Sequence, residues 1–334
     1  MASLKPRGRS VAIGRARARD VLRVRARALR RRTAAVRSEA AVAPSAKLTA
    51  VDPALKRAVG GAAAPGVAVA EGDSWFDHPL NDVLHLLEDL CAYEVESVAH
   101  KGDPVEEMAY GQGQLEELTR RLEKLLRRDL VPKAILLSGG GNDVAGPGFG
   151  MLLNHASSPV SGLSEQVLAG VIGERVRLAY VTILSAVTQI CEERIGRRLP
   201  ILVHGYDYPV PDGRGFVGGW WFLPGPWLEP GFREKGFQDL RTRIALAWQL
   251  IDRFNAMLEG LVGLADFSHV TYLDLRGSLS ARGPTTRNGG RTSCTRRDEG
   301  SKPWPVASQR PWLNSTESFD ARIRRRICAL RAQY

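Results

Sequence analysis

Cysteine is scarce in these 334 residues: Cys91, Cys191, Cys294 and Cys328 are widely scattered and form no C-x-x-C pair. That excludes a zinc ribbon and a disulfide scaffold, and makes a reducing, cytoplasmic location the expectation. No apolar run approaches the ~18–20 residues that cross a bilayer, so no transmembrane segment is expected. The basic N-terminus is not followed by an apolar h-region, which argues against a secretory signal. Histidine is also rare, six in all, and none follows His269. Hydrophobic residues nevertheless make up 44% of the chain, enough for a core and too many for a wholly disordered protein.

Acidic residues are short at both ends. Residues 1–40 hold thirteen Lys/Arg against two Asp/Glu, and residues 282–334 hold twelve against four. The stretch between has more acid than base, so the net +11 describes appendages on an acidic body. Three regions are expected: an Arg-rich segment 1–60, a folded domain 61–281 and an atypical basic tail 282–334. In the first, Arg15, Arg17 and Arg19, then Arg23, Arg25 and Arg27, alternate with small residues, and no apolar face emerges. A solvated, disordered tail is the plain expectation, because like charges in a run repel. The functional alternative is a binding protein whose Arg-rich arm takes nucleic acid or anionic membrane.

From residue 66 the pattern alternates between strand and helix. Short apolar runs at 66–70, 93–99, 134–137, 201–203 and 270–275 read as buried strands. Between them lie helical spacings at 80–90, 115–126, 164–194 and 234–261. Five strands separated by helices predict an α/β fold whose parallel sheet is covered on both faces. Such sheets carry their chemistry at the C-terminal strand ends.

The first three strands each open into a distinctive loop. Gly72-Asp73-Ser74-Trp75 presents a serine that can serve as a nucleophile if a base is near; the structural alternative is that Ser74 or Asp77 caps the next helix. His100-Lys101-Gly102-Asp103-Pro104 offers a glycine whose N–H can approach an oxyanion. Ser138-Gly139-Gly140-Gly141-Asn142-Asp143 reads as backbone curved to aim an amide. A phosphate loop competes for that last segment, but it lacks the Lys-Ser/Thr of a P-loop.

Together these loops resemble the SGNH hydrolases, the GDSL esterase/lipase family. GDSW at 72–75 matches the first block, GGGND at 139–143 the third, and Gly102 stands where the second block's glycine belongs. The resemblance implies a three-layer, flavodoxin-like fold with strand order 2-1-3-4-5. It also implies Ser74 as nucleophile, with Gly102 and Asn142 as oxyanion donors, hydrolysing a small-molecule acyl ester. No cofactor, no metal and no obligatory nucleic acid is implied. The aromatic segment 218–227 would wall an acyl pocket or anchor its own loop.

The family's last block, a histidine soon after the final strand that acts as general base, is missing here. Asp266-Phe267-Ser268-His269 has D-x-x-H spacing but precedes the strand, about 20 Å from its active end at ~3.3 Å per residue. His204 and His100 lie at the correct end, along with Asp143 and Asp207. The tail supplies an explanation. Residues 289–306, back-translated and read from the third base of each codon, admit W-A-N-E-L-H-P-T-R-R-G-F-E-A-V-A, which looks like that final block. A reading-frame shift near 279–286 is therefore expected, with the histidine codon straddling Cys294 and Thr295. The chain as written would then be an esterase scaffold of little activity.

Overall fold

The three central strands of the sheet form where short apolar runs can be buried on both faces. The computed structural model describes residues 5–42, 66–77, 83–91, 93–111, 113–146, 148–213 and 227–277. Strand β1 (Val67–Glu71) sends Val69 to one layer and Ala68 and Ala70 to the other. Strand β3 (Ala134–Leu137) does the same with Ile135 and Leu137 against Ala134 and Leu136. Strand β6 (Ile201–His204) splits Ile201 and Val203 from Leu202 in the same way. This period-two division is what a strand between two helical layers requires. Strands β2 (Glu94–Ser97) and β7 (Val270–Leu273) form the edges.

All four pairings are parallel, and the order is β2-β1-β3-β6-β7. The sequence-based order 2-1-3-4-5 differs from this in its numbering. A two-stranded antiparallel ribbon, β4 (Leu153–Asn154) with β5 (Gly162–Leu163), intervenes in the chain between the third and fourth sheet strands. Its strands are too short to show as apolar periodicity. The fold is therefore an α/β parallel sheet with helices on both sides. One face carries α3 (Val105–Tyr110), α4 (Gln114–Leu126), α7 (Arg177–Ile195) and α9 (Leu240–Val262). Among the described residues the one helix on the other face is α2 (Val83–Cys91), with Phe76, Tyr93 and Leu275 buried beside it.

Helix α4 puts Leu115, Leu118, Leu122, Leu125 and Leu126 into the core at three- and four-residue steps. Each such burial contributes about 1.5–3 kcal/mol. The expected helix at 164–194 is α6 (Glu165–Leu168), a wider π-type stretch Ala169–Val176, and α7 in succession. The expected helix at 234–261 is divided. Helix α8 (Glu229–Glu234) ends, and α9 restarts at Asp239, whose carboxylate accepts the Thr242 N–H at 2.7 Å. Helix α5 (Gly141–Ala145) is a single short turn. No helix among the described residues is long and apolar enough to cross a membrane.

The Arg-rich segment departs from expectation. Pro6–Val42 is a helix, α1, rather than a disordered tail, and its first half lies along α7. The contact face is a line of small residues, Ser10, Gly14, Ala18 and Val21, all buried. A Cβ on Gly14 would stand 2.2 Å from the Thr182 carbonyl oxygen, so the two backbones meet where no side chain fits. Two arginines turn inward. Arg17 donates to the Ala109 carbonyl at 3.2 Å, and Arg25 pairs with Glu123 at 2.8 Å. Glu123 is wholly buried and receives Arg194 at 2.7 Å on its other oxygen. A carboxylate paired on both sides offsets its desolvation where a lone one would not. No large apolar stripe announced this contact, so the charge dominated the sequence pattern. Over its first half Pro6–Val42 packs on the body. The tail 282–334 lies outside the described residues.

Candidate active site

The first loop begins where β1 ends. Gly72 is required by space: a Cβ there would lie 2.7 Å from that of Ser138 and 2.8 Å from the Phe76 ring. Asp73, 1% exposed, is held at both carboxylate oxygens. Its Oδ1 accepts from the Trp75 N–H at 3.1 Å and from Ser138 Oγ at 2.9 Å, and Oδ2 accepts from the Tyr206 hydroxyl at 3.0 Å. Its carbonyl accepts from the N–H groups of Phe76 and Asp77, which coils Ser74 and the two aromatics into one turn. The cap of this turn is therefore Asp73. Ser74 is half-buried, and its hydroxyl makes no hydrogen bond to a described residue. Asp77 accepts from the Lys101 N–H at 2.9 Å, which ties the first loop to the second.

The second loop follows β2. The His100 N–H donates to the Gly72 carbonyl at 2.9 Å. Gly102 is exposed at φ +92°, with nothing within 4 Å of a Cβ, so its need for glycine is purely conformational. The third loop follows β3. Gly140 also has φ +92°, and a Cβ there would meet the Phe254 ring at 2.5 Å. The Gly141 N–H donates to the Tyr206 hydroxyl at 2.9 Å. Asn142 Nδ2 donates to the Asp103 carbonyl at 3.2 Å, which fixes the amide and leaves its second N–H. Asp143 Oδ2 accepts from the Val105 N–H at 2.8 Å, at the start of α3. Burial pushes the Asp143 carboxyl up to about 6, against the pull of that bond. The loops bearing Ser74, Gly102 and Asn142 are thus bound to one another at a single edge of the sheet.

The histidines divide as the strand ends do. His204 closes β6 and is buried, with Nδ1 donating to the Gly205 carbonyl at 2.8 Å. Its ring lies among Trp75, Phe76 and Tyr206, at centroid distances of 5.6, 5.8 and 5.6 Å. Desolvation lowers its pKa, with the Gly205 carbonyl and Asp73 opposing, so it stays neutral at pH 7. His100 is exposed beside Gly102. His269 sits at the opposite edge, at the entry to β7, with Nε2 2.9 Å from the Thr188 hydroxyl; its D-x-x-H spacing is structural. Asp207 accepts from the Tyr208 and Gly277 N–H groups at 2.7 and 2.8 Å, joining the loops after β6 and β7. Segment 214–226, with most of the aromatic stretch, and everything after 277 lie outside the described residues.

The sequence reading marked the segments that hold Tyr206 and Ser138 but not the hydrogen bonds these residues make, and it did not mark Asn255. Tyr206 bridges Asp73 to Gly141, and Ser138 supports Asp73 from the third loop. Asn255, on α9 and wholly buried, clamps Tyr206 by accepting from its N–H at 3.1 Å and donating to its carbonyl at 3.0 Å. The run His204-Gly205-Tyr206-Asp207 at a strand end was the available signal for the first, whereas Asn255 had none. Among the described residues no cluster of three or more His, Cys, Asp or Glu is placed to hold a metal ion.

No family model matches the chain, and no curated protein matches it either. Solved structures do. A protein named a GDSL-like lipase from Parabacteroides merdae ATCC 43184 is 12% identical; the match covers 80% of this chain and 96% of that one, with a TM-score of 0.37. A possible lipase from Chitinophaga pinensis DSM 2588 is 14% identical over 79% and 99%, with a TM-score of 0.38. AlinE4, an SGNH-hydrolase family esterase, is 14% identical over 79% and 95%, with a TM-score of 0.29. All three are named for lipase or esterase activity: a GDSL-like lipase, a possible lipase and an SGNH-hydrolase family esterase.

Proposed function

We propose that the chain is a serine hydrolase scaffold for acyl esters, working without metal or cofactor. Ser74 is its nucleophile, and the N–H groups of Ser74 and Gly102 with Asn142 Nδ2 are its oxyanion donors. The observation that supports this reading is the cross-tying of the three loops. Asp73 holds the turn of Ser74, His100 binds the second loop to the first, and Asn142 is anchored to the second by Asp103. Donors fixed before the reaction need no reorganisation as charge develops on the carbonyl oxygen, which makes such groups effective.

In this mechanism Ser74 Oγ attacks the acyl carbon, and the carbonyl electron pair moves to oxygen. Collapse of that intermediate expels the alcohol and leaves an acyl-serine, which water cleaves. Each attack must lose a proton to a base, and no described residue hydrogen-bonds to Ser74 Oγ. The base belongs, on the frame-shift reading, to the alternative frame beyond β7. Without it, turnover falls by about 10⁴–10⁶, as when a triad member is deleted. The test is hydrolysis of p-nitrophenyl acetate by this chain, by its Ser74→Ala variant and by a version with the second frame restored. Restoration should raise turnover by orders of magnitude, and Ser74→Ala in that version should abolish the gain. Equal rates in all three would remove Ser74 from the chemistry.

A further inference from the structure

Helix α1 carries twelve arginines and no lysine, and the fold sorts them. Arg17 and Arg25 face the body and are consumed there. Arg19, Arg23, Arg27 and Arg30 follow at steps of four, four and three residues, which keeps them on one side of the helix. All four are exposed, and the stripe extends about 16 Å at 1.5 Å per residue. Asp20, paired with Arg23, is the one acidic residue within the stretch 6–34. Beyond Arg25 the helix leaves the body behind: residues 26–34 are exposed without interruption. Like charges at four-residue spacing on an unsupported helix repel one another, so the surface is held in an arrangement that a polyanion would relieve.

We infer that this stripe is a binding surface for duplex nucleic acid, engaged through its phosphates. Guanidinium forks fit phosphate oxygens bidentately, and charge neutralisation alone carries sequence-independent binding. An anionic membrane fits less well. A helix lying in a bilayer interface needs an apolar side opposite its charged one, and here the side opposite is the small-residue line packed on α7 as far as Val21, and Arg25, Ala28 and Arg32 beyond it. The large apolar residues left exposed near the stripe, Val24 and Leu29, are five residues apart and point in directions about 140° apart. The stretch 41–281 is acidic overall and repels a polyanion, so within the packed body the arm is the place of contact. This surface is independent of the chemistry assigned to Ser74.

The experiment is fluorescence anisotropy of a fluorescein-labelled 20-base-pair DNA with the full chain between 50 and 200 mM NaCl. Four phosphates neutralised by the stripe predict a slope of log K against log salt of about −3.6, or roughly 10²-fold weaker binding across that range. Replacing the four with glutamine (R19Q/R23Q/R27Q/R30Q) should make the slope shallower by three to four and leave helix content unchanged by circular dichroism. The corresponding lysine variant should keep the slope. Labelling of Ser74 by a fluorophosphonate should be the same in all three proteins. The inference is overturned by an absence of DNA binding at 50 mM salt, by a glutamine variant that keeps the slope, or by a lysine variant that loses it. It is equally overturned if phosphatidylserine vesicles bind the chain more tightly than DNA and depend on the same four residues.

Discussion

Replacing Glu71 by glutamine should make the protein more stable at alkaline pH while changing little at pH 5 and below. Glu71 ends β1 directly beneath the Ser74 loop and is 1% exposed. Its Oε1 accepts from Gln114 Nε2 at 2.9 Å and from the Gly72 N–H at 3.0 Å, whereas Oε2 meets no described partner. Beside it lies a cavity of about 10 Å³ lined by Leu118, Ile135, Ile183 and Val187. Burial, with lesser repulsion from Asp103 and Glu117, pushes its carboxyl up to about 8 from 4.5. In the unfolded chain this group ionises near 4.5, so between there and pH 8 the unfolded state binds fewer protons and stability falls as pH rises. At 1.36 kcal/mol per unit the accumulated loss is ~5 kcal/mol above pH 8, a large share of a domain's usual 5–15. The glutamine carbonyl keeps both hydrogen bonds and cannot ionise. Asp143, raised for the same reason, tilts both proteins alike and cancels in the difference. Urea unfolding followed by circular dichroism at pH 5, 6, 7, 8 and 9 would give the two curves. They should coincide within ~1 kcal/mol at pH 5 and separate by several at pH 9. Parallel curves across the whole range would refute the argument that Glu71 is protonated in the folded state.

Tyr206→Phe removes the hydroxyl that serves Asp73 and Gly141 at once; leaving those buried groups without it should cost about 1–3 kcal/mol, read as a lowered melting temperature. Gly140→Ala meets both the positive φ and the Phe254 ring, and should cost about 2 kcal/mol or more by calorimetry. Gly14→Val should lift α1 from α7, so limited proteolysis would cut within residues 6–25 of the variant but not of the parent. Nucleotide sequence across codons 275–310 should be compatible with the W-A-N-E-L-H-P-T reading; codons that forbid it would dispose of the frame shift.

The sheet was legible because parallel strands buried on both faces appear as uninterrupted apolar runs, such as the one at 134–137. Its loops were legible because glycine at φ +92° and a serine after a strand leave a local signature. The ribbon β4–β5 was not, since two residues per strand carry no period. Nor was α1, whose docking depends on what is missing at Gly14 rather than on anything bulky. Tyr206 and Asn255 show the deeper obstacle. Their partners lie 133 and 49 residues away in the chain, and only the placement of β6 beside β3 and of α9 beside the sheet brings them into range.

With β1 seated between β2 and β3, the serine's strand is flanked by the two strands that supply the proposed donors, and their connections are stitched together before any guest arrives. Accommodation of differently shaped guests would then have to come from the half of the rim beyond β6 and β7. Engineering for altered selectivity should start there, in the loops that Asp207 joins after β6 and β7, and leave the donor-bearing half alone.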